Sequence, residues 1–340
     1  MKEFFVREAP LHENKVITSS FVVAAKQIRS RKDGGEPYLA LTLADRTGLL
    51  EGRMWENVAE HLQSFEQDDF LKVRGTISRY RNRYQITIQK LRRLEESEVD
   101  YADYLPRTEK DVEELWRTLA EFAATFRNPH LKALLEAFMA DPEISTRYRA
   151  APAAKSMHHA YLGGLLEHVV SLMKLCDLVV QNYPEIDRDL LLTGAFLHDI
   201  GKIYELSYER SFSYTTRGQL LGHMIIELEM LQQKIAALPD FPERLKTLLE
   251  HLIISHHGQY EFGSPKLPMF PEALLLHYLD DLDSKMESMR SHLARDANEG
   301  EWTGYNTSLS RTLLKTRQFL EGEAEAAEDA TPSSAEEEKR

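Results

Sequence analysis

The sequence predicts two unlike domains, an all-β barrel followed by an all-α domain, with a disordered acidic tail. The chain has 340 residues, more than one compact core usually holds. Apolar residues alternate up to about Leu94 and then recur every three or four positions, which are the spacings of strands and of amphipathic helices. We expect a β domain over 1–98, a helical connector over 99–150, a helical domain over 151–320 and a tail over 321–340.

Five segments rich in β-branched and aromatic residues predict the strands of the first domain, and glycine-containing turns at 33–35 and 46–48 separate some of them. The predicted strands are 16–29, 38–44, 49–55, 70–78 and 83–91. Five short strands joined in this way fit a small barrel of the oligonucleotide/oligosaccharide-binding (OB) type.

The predicted barrel carries cations beside flat rings, the side chains that bind single-stranded nucleic acid. Residues 1–94 contain 17 Lys and Arg against 12 Asp and Glu, and one hairpin alternates arginine with tyrosine. The predicted contact residues are Tyr38, Trp55, Arg79, Tyr80, Arg81, Arg83 and Tyr84. In the alternative interpretation the rings belong to the core, the arginines are only solvated, and the barrel is a structural adaptor.

Helical periodicity covers most of the remaining chain. The predicted helices are 112–126, 130–139, 155–180, 187–198, 219–237, 243–255, 273–291 and 308–320. The tail that follows has no aromatic or β-branched apolar residue to bury, so we expect it to be disordered.

The composition excludes several classes of protein. A single cysteine, Cys176, allows no intramolecular disulfide, and the first residues lack the basic flank and apolar run of a secretory signal. The longest apolar stretches are far shorter than the ~20 residues that cross a bilayer. We therefore expect a cytoplasmic protein with no membrane partner. The net charge of −13 argues against phosphate binding over the whole surface.

Histidines and aspartates are concentrated in the helical half. Nine of the thirteen histidines fall between residues 158 and 277, and one of them forms the pair His198-Asp199. Imidazole with carboxylate suits divalent ions such as Mn, Fe, Ni or Zn, and the lack of usable thiolates excludes a zinc-finger type of site. Without a metal, burying so many of these groups in one core would be costly in desolvation. The pattern therefore predicts a metal site.

The order His, His-Asp, His, His-His and Asp resembles the HD-domain superfamily of metal-dependent phosphohydrolases over 155–290. With the barrel in front, four segments resemble more narrowly the YhaM family of bacterial 3'-5' exoribonucleases. These segments are HHAYLGGLLEH (158–168), HDIGK (198–202), SHHGQYEFGSPKLP (255–268) and LHYLDDLDSKM (276–286). The resemblance extends over nearly the whole chain except the acidic tail.

The resemblance implies ligands for two divalent ions, and we expect Mn first, with Fe, Co, Ni, Zn or Mg as alternatives. The implied ligands form two groups that share Asp199, namely His168, His198 and Asp280 for one ion and His223, His256 and His257 for the other. Two ions ~3.5 to 4 Å apart activate water and stabilise the departing alkoxide, so Asp199 is also predicted to be catalytic. Lys202 would place its ammonium against a phosphate oxygen, provided that Gly201 does not end the helix.

Some assignments stay open at this point. One of the adjacent histidines could serve only as a hydrogen-bond partner, and Asp281 and Asp283 lie within one turn of Asp280. We expect His158, His159, His251 and His277 to be caps, packed imidazoles or partners of ligands. Tyr260 and Phe262 are predicted to position the terminal base of a substrate, unless their loop is only a surface crossing between helices.

The predicted function is a metal-dependent 3'-5' exonuclease that holds single-stranded RNA, or single-stranded DNA, on the barrel and releases nucleoside 5'-monophosphates. Direction, product and RNA preference are what the resemblance implies. One alternative is a phosphohydrolase of nucleotides or cyclic dinucleotides, which would not need a cationic barrel. The other is a non-catalytic strand-binding protein with a structural metal site. A homo-oligomer is left open.

Overall fold

The computed structural model describes residues 2–30, 35–80, 83–155, 159–209, 212–296 and 298–321. Its N-terminal part is a closed barrel with the strand order β1-β2-β3-β5-β4. The strands are β1 (Val16–Arg29), β2 (Tyr38–Asp45), β3 (Gly48–Met54), β4 (Phe70–Tyr80) and β5 (Arg83–Arg93). The barrel is confirmed, and the predicted strand ends agree with the structure to within two residues.

Alternation along the strands fills the barrel interior. In β2, for example, Leu39, Leu41 and Leu43 are buried and the residues between them are partly exposed. β1 closes the barrel by pairing antiparallel with both β2 and β4, whereas β3 and β5 pair in parallel. A short helix, α1 (Val58–His61), lies between β3 and β4.

The segment after the barrel contacts both parts of the molecule. Tyr104 packs its ring against Phe70 and donates a hydrogen bond to Ser20 Oγ at 2.8 Å, which fixes the segment to the barrel. Four residues later, the backbone N–H of Thr108 donates to the carbonyl of Leu162 at 2.9 Å. The connector therefore runs from the barrel wall directly onto the helical part.

Up to residue 295, ten α-helices in the described part of the chain follow the barrel's own short helix. They are α2 (Val112–Ala124), α3 (Pro129–Met139), α4 (Pro142–Ala150), α5 (Gly164–Val179), α6 (Arg188–Leu197), α7 (Lys202–Glu205), α8 (Thr216–Leu221), α9 (His223–Ala236), α10 (Glu243–Ser255) and α11 (Pro271–Arg295). α2, α3, α4 and α6 begin at side-chain caps, which are Asp111, Asn128, Asp141 and Asp187. α5 and α6 are buried along most of their length and form the centre of the helical core.

Two predicted helices are wrong because glycines interrupt them. The helix predicted over 155–180 begins only at α5, since Gly163 adopts φ +78° and His159 adopts φ +49° in a tight turn before it. The helix predicted over 219–237 is divided into α8 and α9 at Gly222, with φ +73°. Neither backbone conformation continues a right-handed helix.

Three further predictions need correction or stay open. The described residues after the barrel are not all helical, because β6 (Leu206–Ser207) and β7 (Ser213–Tyr214) form a small hairpin. The helix predicted over 308–320 is present only at 316–321. α4 was not predicted, although the cap Asp141 and the first-turn Pro142 mark its start. Most of the predicted tail, 322–340, lies outside the described residues.

No helix within the described part of the chain has both the length and the apolar character to cross a membrane.

Candidate metal centre

The predicted ligand side chains meet at the ends and on the faces of five helices. His168 lies on α5 and Asp280 on α11. His198 and His256 directly follow the last residues of α6 and α10. His223 is the first residue of α9, because the break at the preceding glycine starts a new helix there. The helical core thus gathers side chains that are far apart in sequence.

These side chains form two groups with Asp199 between them. The groups are His168, His198 and Asp280, and His223, His256 and His257. Within each group, one ligand atom of every residue lies within 4.8 Å of the others. Asp199 Oδ2 lies 3.4 Å from His198 Nε2, whereas Asp199 Oδ1 lies 3.7 Å from His223 Nε2. One carboxylate therefore presents a separate oxygen to each group.

Hydrogen bonds at Nδ1 determine which nitrogen of each histidine is able to bind a metal. In His198, His256 and His257, Nδ1 lies 2.6 to 2.9 Å from a backbone carbonyl, which can only accept a hydrogen bond, so Nδ1 carries the proton and donates. In His168 and His223, Nδ1 lies 2.8 and 3.2 Å from a carboxylate oxygen. Each neutral ring therefore keeps its lone pair on Nε2. Burial also lowers the pKa of His256 and His257, which keeps these two rings neutral.

The lone pairs at the centre need a cation. His168 Nε2 lies 3.3 Å from His198 Nε2. Burial alone would lower the pKa of both rings, but Asp280 raises the pKa of His168, and Asp199 with Asp280 raises that of His198, so without a metal these carboxylates draw a proton to the centre. Nε2 of His223 and Nε2 of His256 are buried and have no hydrogen-bond partner among the described residues. Leaving buried acceptors unpaired is costly, and a divalent cation satisfies several of them at once. The donor set of imidazole and carboxylate therefore fits a divalent metal.

Lys202 is held beside Asp199, with its Nζ 2.7 Å from Asp199 Oδ2. Burial alone would raise the pKa of Asp199, but Lys202 and His198 hold that pKa well below its usual range. Burial alone would lower the pKa of Lys202, but Asp199 offsets this and raises it. Because α6 ends at Leu197 and α7 begins at Lys202, a turn rather than a continuing helix brings the ammonium to the carboxylate.

The three aspartates of α11 have different surroundings. Asp280 Oδ1 lies 3.1 Å from His168 Nε2, on the side where a metal would bind. Asp283 contacts the opposite nitrogen of the same ring and also accepts a hydrogen bond from Ser171 Oγ at 2.6 Å. Asp281 forms an ion pair with a lysine of its own helix. This geometry fits Asp280 as a ligand and Asp283 as the residue that orients His168, and the ligand role of Asp280 stays a prediction.

The other predicted histidines contact neighbours of these groups. His277 donates from Nδ1 to the carbonyl of His256 at 3.0 Å. His251 accepts from the backbone N–H of Met269 at 3.1 Å. His159 Nε2 lies 3.7 Å from a carboxylate oxygen of Asp283. The fourth, His158, lies outside the described residues.

Tyr260 and Phe262 lie on a single 3-10 turn (Tyr260–Phe262) and expose 60% and 58% of their surface. The carbonyl of Phe262 accepts a hydrogen bond from Nδ1 of His257 at 2.9 Å. Their loop therefore orients His257, which was not predicted, and it leaves both rings accessible. Their predicted contact with a terminal base stays a prediction.

Two buried glutamates beside the centre were not predicted. Glu205 accepts from the backbone N–H of His223 at 3.0 Å and lies 3.2 Å from its Nδ1. Glu227 forms a third group with Asp199 and His223, again with ligand atoms within 4.8 Å of one another. Burial and Asp199 raise the pKa of Glu227 well above its usual range. Its spacing of four residues from His223 places both on one helix face and was a usable signal, whereas no pattern marks Glu205.

Aromatic and cationic side chains lie together on the outside of the barrel. The rings of Tyr38 and Trp55 stack with their centroids 4.3 Å apart. Arg53, which was not predicted, alternates with the buried Met54 and lies 5.4 Å from the ring of Tyr80. This part of the barrel wall therefore combines rings with a cation, as strand-binding surfaces do.

The predicted hairpin does not form one surface. Arg79 pairs with Tyr84 and Tyr80 pairs with Arg83 across β4 and β5, and successive residues of a strand point to opposite faces. Tyr84 packs against the barrel core, and Arg79 lies 5.8 Å from its ring. Tyr80 and Arg83 therefore belong to the other face. Arg81 lies outside the described residues.

Comparisons with known proteins agree with this arrangement. The family model described as HD domain matches residues 165–285, and the one described as OB-fold nucleic acid binding domain matches residues 22–94. The chain is 35% identical to the 3'-5' exoribonuclease YhaM of Bacillus subtilis (strain 168) over 294 residues, which are 86% of this chain and 92% of the relative. It is 36% identical to the 3'-5' exoribonuclease YhaM of Geobacillus sp. (strain WCH70) over 270 residues, with coverages of 79% and 82%.

The barrel and the metal centre define an HD-domain hydrolase that depends on a divalent metal and has an N-terminal OB-fold domain. More narrowly, the chain belongs to the YhaM family of 3'-5' exoribonucleases. The predicted fold class and the predicted family are confirmed. The domain boundaries, the ligand assignments and the nucleic-acid-binding residues stay predictions.

Proposed function

We propose that this chain hydrolyses single-stranded RNA from its 3' end and releases nucleoside 5'-monophosphates at two divalent ions on either side of Asp199. The observation that carries the proposal is Asp199 itself, whose two oxygens face separate groups of histidines. Manganese suits a set of imidazole and carboxylate ligands without thiolate. The RNA substrate and the direction are supported by the activity for which the relatives are named.

When bound, divalent ions lower the pKa of water and stabilise the charge that phosphodiester hydrolysis develops. The chain's own residues hold the ligand side chains in their orientations. Asp283 and the backbone carbonyls fix the rings through Nδ1, so that every Nε2 lone pair has a set direction. Lys202 remains an ammonium beside Asp199 and stabilises charge on a non-bridging phosphate oxygen. Tyr260 and Phe262 offer exposed rings to the terminal base.

The barrel holds the rest of the strand. Tyr38 and Trp55 form a stacked pair on its outer wall, with Arg53 and Tyr80 in contact nearby. Each base that stacks on such a ring contributes ~1 to 3 kcal/mol, with little dependence on sequence. Stacking on these rings requires unpaired bases, so the bound strand is single-stranded. The same contacts accept single-stranded DNA.

A labelled strand tests the proposal. Single-stranded RNA with a 5' label is incubated with the purified chain and Mn²⁺, next to Asp199→Ala and the control Asp281→Asn, whose ion pair lies outside both groups. We expect a ladder that shortens from the 3' end in the wild type and the control, and a rate lower by ~100-fold or more in Asp199→Ala. Turnover of mononucleotides alone would favour a nucleotide phosphohydrolase, and a retarded but intact strand would favour a binding protein.

The number of ions, the oligomeric state and the compartment need separate measurements. Elemental analysis of the freshly purified chain should give two equivalents of metal, and one equivalent would limit the site to one of the two groups. A homo-oligomer stays a prediction, which light scattering tests, and a cytoplasmic location stays a prediction as well.

A further inference from the structure

Glu227 is a fully buried carboxylate with one oxygen engaged and one left over. It lies on α9, one helical turn after His223. Its Oε1 accepts a hydrogen bond from the backbone N–H of Gly201 at 3.2 Å. Its Oε2 is buried and has no hydrogen-bond partner within the described part of the chain. A buried carboxylate oxygen without a partner is costly, so its retention calls for a cation or a donor.

The surroundings of Glu227 supply acceptors rather than donors. Asp199, His223 and Glu227 each place one ligand atom within 4.8 Å of the others. His223 already has Glu205 at its Nδ1, so its Nε2 is an acceptor that also lacks a partner among the described residues. The ammonium of Lys202 contacts Asp199 through Oδ2. Asp199 Oδ1, on the other side of that carboxylate, is the atom that lies 3.7 Å from His223 Nε2.

We propose that Glu227 is a ligand of the ion held by His223, His256 and His257, with its Oε2 completing a set that includes His223 Nε2 and Asp199 Oδ1. This proposal rests on the proposed function, because it adds a residue to the second of the two ions. The carboxylate adds a negative charge and a hard oxygen to a group otherwise made largely of imidazoles. Oxygen ligands of this kind suit Mn²⁺ better than softer ions.

A structural role for Glu227 is separable from a ligand role. A glutamine at residue 227 keeps the size of the side chain and an amide oxygen that accepts from Gly201, but it removes the charge. Glu227→Asp keeps the charge on a shorter side chain. Glu229 is a matched control, because it lies two residues further along α9 and pairs with Arg217 at the surface.

The test is the binding of Mn²⁺ alone to metal-free full-length chain, by calorimetric titration and by elemental analysis after equilibrium dialysis. We expect two equivalents for wild type and Glu229→Gln. For Glu227→Gln we expect one equivalent of Mn²⁺ at wild-type affinity. The affinity for the second equivalent should fall at least ~10- to 100-fold, because loss of a residue that only orients a ligand already has an effect of this size. Glu227→Asp should keep the second equivalent at an intermediate affinity. Circular dichroism of the metal-free variants establishes that the fold is intact.

A failure of the ligand role of Glu227 can be distinguished from a failure of the proposed function. If Glu227→Gln, folded as wild type, binds two Mn²⁺ at wild-type affinity, the ligand role of Glu227 is wrong and the two-ion centre stands. If Glu227→Gln fails to fold, a weakened second equivalent in a folded Glu227→Asp supports the ligand role, and full affinity in that variant overturns it. If the wild type itself binds no Mn²⁺, the proposed function fails and this proposal fails with it.

Discussion

Gly201 lies directly against the backbone of His223. A Cβ atom at residue 201 would lie 2.4 Å from the carbonyl oxygen of His223 and 2.9 Å from Cγ of Glu227. The turn that carries Asp199 therefore packs on the first turn of α9 with no room for a side chain. This contact sets how far His223 stands from the carboxylate between the two groups.

Replacing Gly201 with alanine should separate these two elements. We expect a loss of ~1 to 3 kcal/mol in the free energy of unfolding, since backbone rather than a flexible side chain must move. Mn²⁺ binding should weaken as well. Denaturant unfolding and calorimetric titration measure the two effects. Gly194→Ala is the control, because its Cβ would meet only leucine side-chain ends at 3.1 Å. Unchanged Mn²⁺ affinity in Gly201→Ala would show that this contact does not set the position of His223 relative to Asp199.

Asp283→Asn should weaken metal binding without removing a ligand. Asp283 holds the ring of His168 through Nδ1, and an amide can present its NH₂ group there and favour the wrong tautomer. We expect Mn²⁺ affinity and the rate of RNA degradation to fall by ~10- to 100-fold. Ser171→Ala removes the hydroxyl that contacts the other oxygen of Asp283 and should have a smaller effect. Equal losses in both variants would count against the orienting role.

Removing the metal should destabilise the helical part of the chain. Without a cation, His168 and His198 keep their Nε2 atoms 3.3 Å apart. Adding Mn²⁺ at 100 times its dissociation constant should stabilise metal-free protein by ~2.7 kcal/mol, or ~5 to 10 °C in melting temperature. Scanning calorimetry after chelation measures the shift. In Asp199→Ala most of this shift in melting temperature should be lost. A wild-type chain that melts at the same temperature with and without Mn²⁺ would argue against the metal site.

Trp55→Ala should weaken strand binding without touching the metal centre. Loss of a stacking ring costs ~1 to 3 kcal/mol, or ~5- to 150-fold in Kd. Fluorescence anisotropy with labelled single-stranded RNA, with chelator present and at fixed salt, measures this loss. Trp302→Ala is the control, because Trp302 is an exposed tryptophan that lies outside the barrel. Similar Kd values for all three proteins would place the binding surface elsewhere.

The sequence was most informative where one physical pattern dominates. Alternating burial fixes the barrel strands, because a strand that shifts by one residue turns its apolar side chains to water. The order of histidines and aspartates along the chain predicts the side chains that the structure brings together in the two groups. The same alternation rule places Tyr80 and Arg79 on opposite faces of the barrel wall, so it separates residues that are neighbours in the hairpin sequence.

The errors have a common physical cause. Apolar periodicity continues through Gly163 and Gly222, whereas the backbone conformation at these glycines stops the helix. Glu205 reaches His223 across 18 residues of chain, and Asp283 reaches His168 across 115. Contacts of this range depend on how helices pack, so a linear pattern gives no sign of them.

The helices that carry His168 and Asp280 stand early and late in the helical half, as α5 and α11. A nascent chain that has left the ribosome only as far as α10 cannot yet close the centre, however well its earlier helices have folded. The group formed by His168, His198 and Asp280 is therefore complete only after α11 has docked against the earlier helices.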